Sequence, residues 1–480
     1  MKFQTSPANR VFYYFQKICQ IPHGSGNTKA ISDFCVEFAK KHGLFYRQDK
    51  LHNVIIIRPA GKGYEDHEPY ILQGHLDMVC EKDPDVTIDF EKEGLTLYEE
   101  NGYLKARGTT LGADDGIAVA YGLALLEKED LCCPRLEVVF TVDEETGMDG
   151  AAGIDLSCLQ GRRLLNLDSE EEGVFLCGCA GGMRSHIEFP IFRVKRQGIL
   201  VDLNLSGLSG GHSGSEIDKE GGNAIALLGR LLSEAAAVCE IGICSLNGGL
   251  KDNAIPRSAS ARLLVASEHA SDLLACIRKT EAVFQKEYAD PDPDLHISAT
   301  VSDRETSDLI FDPADQKRIL QFLYTMPNGV QHMSTAIKGL VETSLNAGIM
   351  KTEEDRFILS FSVRSSVSSR KRLVADKLRI LSEALGGSYW EDGAYPAWEY
   401  QKHSPLREEL CAVYESLFRR SPRVEAMHAG LECGLLLEKR PDLDCVSLGP
   451  QINDIHTPKE SLDIASTERI WEFLLTFLQK

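Results

Sequence analysis

No stretch of this 480-residue sequence approaches the roughly 18 consecutive apolar residues that a membrane-spanning helix requires. The opening residues, MKFQTSPANRVFYYFQ, lack the apolar core of a secretory signal, so a cytoplasmic location is expected. Basic residues are in deficit: 52 Lys and Arg stand against 72 Asp and Glu, a formal net charge of −20. A surface this acidic repels phosphate backbones, and no basic stretch is interleaved with aromatics, which argues against nucleic-acid partners. The 14 cysteines are scattered, with Cys132-Cys133 and Cys177-x-Cys179 the only close pairs and no CxxC…CxxC spacing. They read as small buried hydrophobes in a reducing compartment rather than as metal knuckles or disulfides. Internal repeats and low-complexity tracts are also lacking.

What is present has two textures. The length suggests two or more domains. Residues 10–42 read as helix broken by a turn at PHGSGNTK. The short apolar runs NVIIIRPA, PYILQGHLD, RLEVVFTVDEE and RRLLNLD are bounded by Gly, Pro or charge, and GIAVAYGLALLEKED has helical length and spacing between two of them. Strands alternating with helices predict an α/β layer fold with a mostly parallel sheet. Past Cys179-Ala180-Gly181-Gly182 the pattern changes. ILVDLNLSG, SASARLLVAS and RFILSFSVRSS alternate, the last with Phe357, Leu359, Phe361 and Val363 on one face, and helices at about 219–239 and 271–287 intervene. This is the pattern of an α+β domain with strands exposed on one side. The α/β texture returns near 380. The expected organisation is therefore a discontinuous domain, 1–182 and 380–480, interrupted by an inserted domain, 183–379.

The stretch EVVFTVDEETGMDGA poses the chemical question: an apolar strand runs straight into Asp143-Glu144-Glu145. In an open parallel sheet, ligands bind beyond the carboxyl ends of the strands. Two further runs end the same way, YILQG in His75-Leu76-Asp77 and RLLNL in Asp168. Asp114-Asp115 in GTTLGADDG and His456 in GPQINDIHTPKE add loop candidates. One strand-end carboxylate is ordinarily a solvated loop residue or a helix cap. Five such features at successive strand ends point instead to a site of two imidazoles and several carboxylates, suited to zinc, manganese or cobalt. Two such cations need a bridging carboxylate, which a loop Asp can supply. At Glu144-Glu145, one glutamate can serve the metal and the other a proton.

The order GHLD, GADDG, DEETG, LDSEEEG, IHTPKE closely resembles the co-catalytic zinc peptidases that include carnosinases and peptidases T and V, and within them the aminoacyl-histidine dipeptidases. The resemblance spans essentially the whole chain. It implies a zinc-peptidase catalytic domain with an inserted lid and dimerisation domain, two divalent ions per subunit (zinc first, manganese or cobalt as alternatives), and a homodimer formed through the insert. By the same resemblance, His75 and Asp168 share one metal, His456 binds the other, Glu145 is a further ligand, and Glu144 is the general base. Asp114 matches the bridging ligand, with Asp115 the alternative. Asp77 matches the residue that orients the His75 imidazole. In the insert, SGGHSGSEI makes His212 a candidate for stabilising an oxyanion and KDNAIPR makes Asn253 a polar substrate contact; beyond it, MHAGLECG makes Gly430 a backbone contact. His428 reads as structural. Arg364, at the end of FSVRSS, can hold a substrate carboxylate by a bidentate pair. The implied reaction is hydrolysis of unblocked dipeptides, especially those ending in histidine. A deacylase or tripeptide aminopeptidase on the same fold, or a metal-binding relative without catalysis, are the competing readings.

Overall fold

The structure is a computed structural model, and it describes residues 5–480. The chain divides into two compact units, residues 1–178 with 400–426 and 431–480, and residues 179–399 with 427–430.

The first unit is built on an eight-stranded sheet in the order Phe45–Gln48, Val54–Arg58, Leu136–Thr141, Tyr70–His75, Arg163–Asn166, Asp444–Ser447, Val174–Cys179, Arg423–Met427. Tyr70–His75 runs parallel to both neighbours, Leu136–Thr141 and Arg163–Asn166, and Asp444–Ser447 continues the parallel set. The first two strands and Val174–Cys179 join antiparallel. The sheet is thus parallel at its centre, where strands such as Tyr70–His75 and Leu136–Thr141 are buried along their whole length.

Helix Ala113–Glu127 is apolar on all sides and buried through Leu126, as befits a central helix. It packs on Tyr70–His75 and on helix Asn9–Ile18. Its close approach to the sheet depends on Gly122, where a Cβ would stand 2.9 Å from the Phe140 ring. On helix Ile464–Leu478, Trp471 stacks with Tyr121 at 6.4 Å, and the Tyr121 hydroxyl donates to the Thr467 carbonyl. Among the described residues, no helix is long and apolar enough to cross a membrane.

The second unit is an antiparallel sheet in the order His296–Phe311, Arg193–Ser206, Ala259–Val265, Ile241–Gly248, Val341–Thr352, Arg356–Ser365, Gly181–Pro190, Ser388–Tyr395, with Gly329–Met333 pairing on Val341–Thr352. Helices Ala224–Val238, Ala270–Glu287, Pro313–Thr325 and Ser368–Ala384 pack on it. Asn223 caps the first of these by accepting from the Ile225 and Ala226 N–H groups.

Two features depart from the sequence reading. The second unit runs to Glu399 rather than ending near 379, because Ser388–Tyr395 pairs with Gly181–Pro190 and carries the chain along with it. Phe357, Leu359, Phe361 and Val363 do enter the core, but the alternate positions Ser360, Ser362 and Arg364 are also buried, so this strand is covered on both faces.

Candidate metal centre

Register explains why the acidic strand ends meet. His75 lies opposite Thr141, and Gln73 opposite Asn166, in parallel pairing. The residues following all three strands therefore leave the sheet at the same end. His75, Asp77, Glu144, Glu145 and Asp168 all belong to that end, and His456 reaches it from the loop after Ile452–Asn453.

Beneath the strand ends lies a fully buried polar layer. The Gln73 amide accepts from Asn166 Nδ2 at 2.7 Å and donates to Glu432 Oε2 at 2.5 Å, and Thr141 Oγ1 donates to the same oxygen at 2.6 Å. Burial pushes the Glu432 carboxyl up to about 7.

His75 is 1% exposed. Its Nδ1 faces the Asp77 backbone carbonyl at 3.0 Å and the Asp77 carboxylate at 3.5 Å. An Nδ1–H donated to that carbonyl leaves Nε2 as a lone pair. Yet Nε2 points at Asp114 Oδ1, 3.2 Å away, and at Asp168 Oδ1, 3.6 Å away. The Asp77 carboxylate accepts from the N–H groups of Glu144 at 3.1 Å and Glu145 at 3.3 Å, and from Ser25 Oγ at 2.8 Å. Asp77 thus ties the ring of His75 to the start of the Glu144–Gly147 helical turn. That turn is reached through Asp143 at φ +56°, so the two glutamates sit on one helical turn rather than on opposite strand faces.

Asp114 stands between the two imidazoles: its Oδ2 lies 3.1 Å from His456 Nε2, which is also 2.8 Å from Glu145 Oε1. The Asp114–Asp115 peptide is cis. Asp115 turns the other way, its Oδ2 accepting from the His75 N–H at 3.1 Å. Ligand atoms of His75, Asp114 and Glu145 lie within 4.8 Å of one another, and so do those of His75, Asp115 and Asp168.

The charges of the cluster oppose one another. Burial opposes ionisation of His75, but the carboxylates of Asp168, Asp114 and Asp77 outweigh it and hold the imidazole well above its usual range. Hydrogen bonds to Asp114 and Glu145 push His456 up to about 10. Burial raises Asp115, Asp168, Glu144 and Glu145, while the two histidines draw Asp114 down against its own burial. Ring nitrogens and carboxylate oxygens all converge as electron donors, and only positive charge reconciles them. Divalent cations fit this donor set of imidazole and carboxylate.

The residues predicted in the insert fall in the second unit. Strand Gly211–His212 pairs with Ala254–Ile255, and the Ser213 N–H donates to the Asn253 carbonyl, which brings His212 and Asn253 onto one small ribbon. His212 Nδ1 accepts from the backbone N–H groups of Gly214 at 3.3 Å and Ser215 at 3.2 Å, so the ring proton sits on Nε2. Arg364, 9% exposed, donates from Nη1 to the Tyr395 hydroxyl at 2.9 Å, while its Nε has no partner. Among the described residues it meets no carboxylate. His428 is buried with Nε2 2.7 Å from Ser344 Oγ, and Ser344 lies opposite Arg364 in the sheet. Burial, Arg364 and His212 push His428 down to about 3. Gly430 is partly exposed just beyond it.

Among the buried acids not singled out from sequence, two belong to this region. Glu432 sits in MHAGLECG between apolar neighbours, and Glu460 follows His456 by four residues. Their flanking residues carried the only available signal, since a glutamate is ordinarily read as solvated.

Fold and donor set together are those of a metal-dependent hydrolase, and the match is specific. Over residues 71–480 the chain matches Peptidase family M20/M25/M40, and it belongs to that family. It is 37% identical over 468 residues to the cytosol non-specific dipeptidase of Escherichia coli (strain K12), covering 97% of this chain and 96% of that protein. The structure of the aminoacylhistidine dipeptidase from Vibrio alginolyticus superposes with a TM-score of 0.92 at 35% identity, covering 100% of this chain and 98% of that one. A tripeptidase from Staphylococcus aureus shares the fold, with a TM-score of 0.56 at 16% identity over 99% of this chain and 98% of that one.

Proposed function

We propose that the protein is a cytosolic two-metal dipeptidase that hydrolyses unblocked dipeptides, with Xaa-His substrates among the favoured. One observation carries this reading: His75, Asp114, Glu145, Asp168 and His456 converge with Glu144 beside them. The relatives at 37% and 35% identity, each matched along nearly its whole length, are named as dipeptidases, one of them for aminoacyl-histidine substrates. His75 and Asp168 would hold one ion, Glu145 and His456 the other, with Asp114 between them. A bound pair supplies acidification of a water and polarisation of a carbonyl.

The chain's own groups do the rest. Glu144, held by its N–H on Asp77, takes the proton of the attacking water and hands it to the leaving nitrogen. His212 offers Nε2–H to a peptide carbonyl oxygen as negative charge develops there. Arg364, a buried cation with no carboxylate of its own, receives the substrate's C-terminal carboxylate. The partner is the small dipeptide itself, and a homodimer through the second unit is part of the proposal.

The test is a substrate panel of carnosine, Gly-His, Ala-Ala, a tripeptide and an N-acetyl amino acid, assayed after chelation and after return of Zn²⁺, Mn²⁺ or Co²⁺. Cleavage restored only by metal and confined to free dipeptides supports the reading. Cleavage of only the tripeptide or the N-acetyl compound moves the protein to a sister activity. A Glu144→Gln protein that binds both metals and retains full activity removes Glu144 from the mechanism.

A further inference from the structure

The loop that carries His456 also carries a carboxylate that no step above uses. Glu460 is 3% exposed. Its Oε2 accepts from the backbone N–H groups of Leu111 at 2.8 Å and Gly112 at 3.2 Å. Its Oε1 accepts from Ala113 at 2.8 Å and Asp114 at 3.4 Å. Four successive amides thus converge on one side chain, and among the described residues that side chain meets no lysine, arginine or histidine. The turn that aims these amides inward requires the left-handed conformation of Gly112, at φ +66°. At its other end Glu460 is fastened by its own N–H to the Thr457 carbonyl at 3.1 Å, and Thr457 Oγ1 donates to the Asp454 carbonyl at 2.7 Å.

A second carboxylate buried close to Asp114 is unfavourable unless something holds it there. The four amides do so, and the consequence runs in the other direction as well. Glu460 bonds the N–H groups of residues 111–114 in the arrangement in which the side chain of Asp114 stands between His75 and His456. The loop bearing Glu460 is the loop bearing His456, so one carboxylate fixes two donors relative to each other.

We infer that Glu460 is a positioning residue for the metal centre, one that acts through the backbone of residues 111–114 to set Asp114 against His456. This rests on the reading of Asp114 as a metal ligand. It assigns Glu460 no contact with substrate or metal.

The experiment measures Zn²⁺ affinity by competition with a chromophoric chelator in the full-length protein, together with the melting temperature of the metal-free form. Glu460→Gln replaces an oxygen that accepts two N–H groups with an NH₂ that can accept none. The expected result is a loss of roughly 10- to 100-fold in affinity for at least one zinc ion, the range seen when supporting partners of metal ligands are removed. Supplying excess Zn²⁺ should restore part of kcat. A folded Glu460→Gln protein whose zinc affinities stay within twofold of the parent overturns the inference, even if its metal-free form melts earlier. Should that variant aggregate, Glu460→Asp, which keeps the charge but retracts it by one methylene, is held to the same criterion. Asp114→Asn is the comparator. If it leaves zinc binding intact, the metal assignment falls and this inference with it. If it abolishes binding at one site while the Glu460 variants bind normally, only the role of Glu460 is refuted.

Discussion

Replacing Arg364 with Met should separate activity from stability in opposite directions. The guanidinium is buried, bonded to the Tyr395 hydroxyl through Nη1, and has an unpartnered Nε and no carboxylate within reach among the described residues. A hydrogen bond to a charged group is worth about 1.5–3 kcal/mol. Two such bonds to a substrate carboxylate come to roughly 3–6 kcal/mol, or about 10²- to 10⁴-fold in kcat/KM at about 1.36 kcal/mol per decade. Much of the change should appear in KM. In the free protein the same cation is an unpaired buried charge, so exchanging it for an apolar side chain of similar length should leave the melting temperature unchanged or raise it. The assay compares dipeptides having a free C-terminal carboxylate with their C-terminal amides. The parent should prefer the acid by the factor above, and Arg364→Met should lose that preference because the amide never had the contact. A variant that keeps the preference, or loses activity equally on both substrates while melting earlier, would show that Arg364 serves the fold and not the substrate.

Other consequences follow from groups already described. His428 has a folded-state pKa of about 3 against an ordinary value of about 6.5, so its burial is favourable only while it is neutral. That contribution is complete above about pH 6.5 and is lost as pH falls; by pH 5 it amounts to about 2 kcal/mol. Urea melts at pH 7 and pH 5 should show a smaller difference for His428→Gln than for the parent, and equal differences would contradict this. Tyr121→Phe loses one buried hydrogen bond, about 1 kcal/mol, whereas Tyr121→Ala opens a cavity beside Trp471 and should cost about 3–5 kcal/mol. Thermal melts that rank the two variants the other way would be inconsistent with this packing. Zinc present at 100 times its Kd should stabilise the folded protein by about 2.7 kcal/mol, and chelation should reverse the rise in melting temperature.

Much of the first unit was legible because its central strands are apolar runs that end abruptly in charge. Tyr70–His75 and Leu136–Thr141 have no alternation to misread, and parallel register then forces their last residues to one end of the sheet. Helix Ala113–Glu127 announced itself by length and composition. What pattern could not show was direction. Asp114 and Asp115 are adjacent and chemically identical, yet one faces the histidines and the other bonds the His75 amide, a difference set by backbone geometry. Nor could pattern place Glu432 and Glu460 indoors, because their partners are Gln73, Thr141 and main-chain amides hundreds of residues away. The return to the first unit was read too early for a related reason. Ser388–Tyr395 belongs to the second unit through its pairing with Gly181–Pro190, a partner about 200 residues earlier that no local pattern shows.

The order of the donors along the chain has a consequence for how the protein is made. His75, Asp114, Glu145 and Asp168 are synthesised early, and His456, together with Glu460, follows about 290 residues later. At roughly 5–20 residues per second, a ribosome takes on the order of 15–60 seconds to cover that interval. Throughout it the nascent chain lacks the second histidine and the carboxylate that bonds the N–H groups of residues 111–114. On the proposed two-metal reading, loading of the full pair is a late event, coupled to release of the chain rather than to folding of its first half. Ribosome-bound chains halted before residue 456 should take up zinc weakly, while the same chains extended beyond Glu460 should retain it against a chelator.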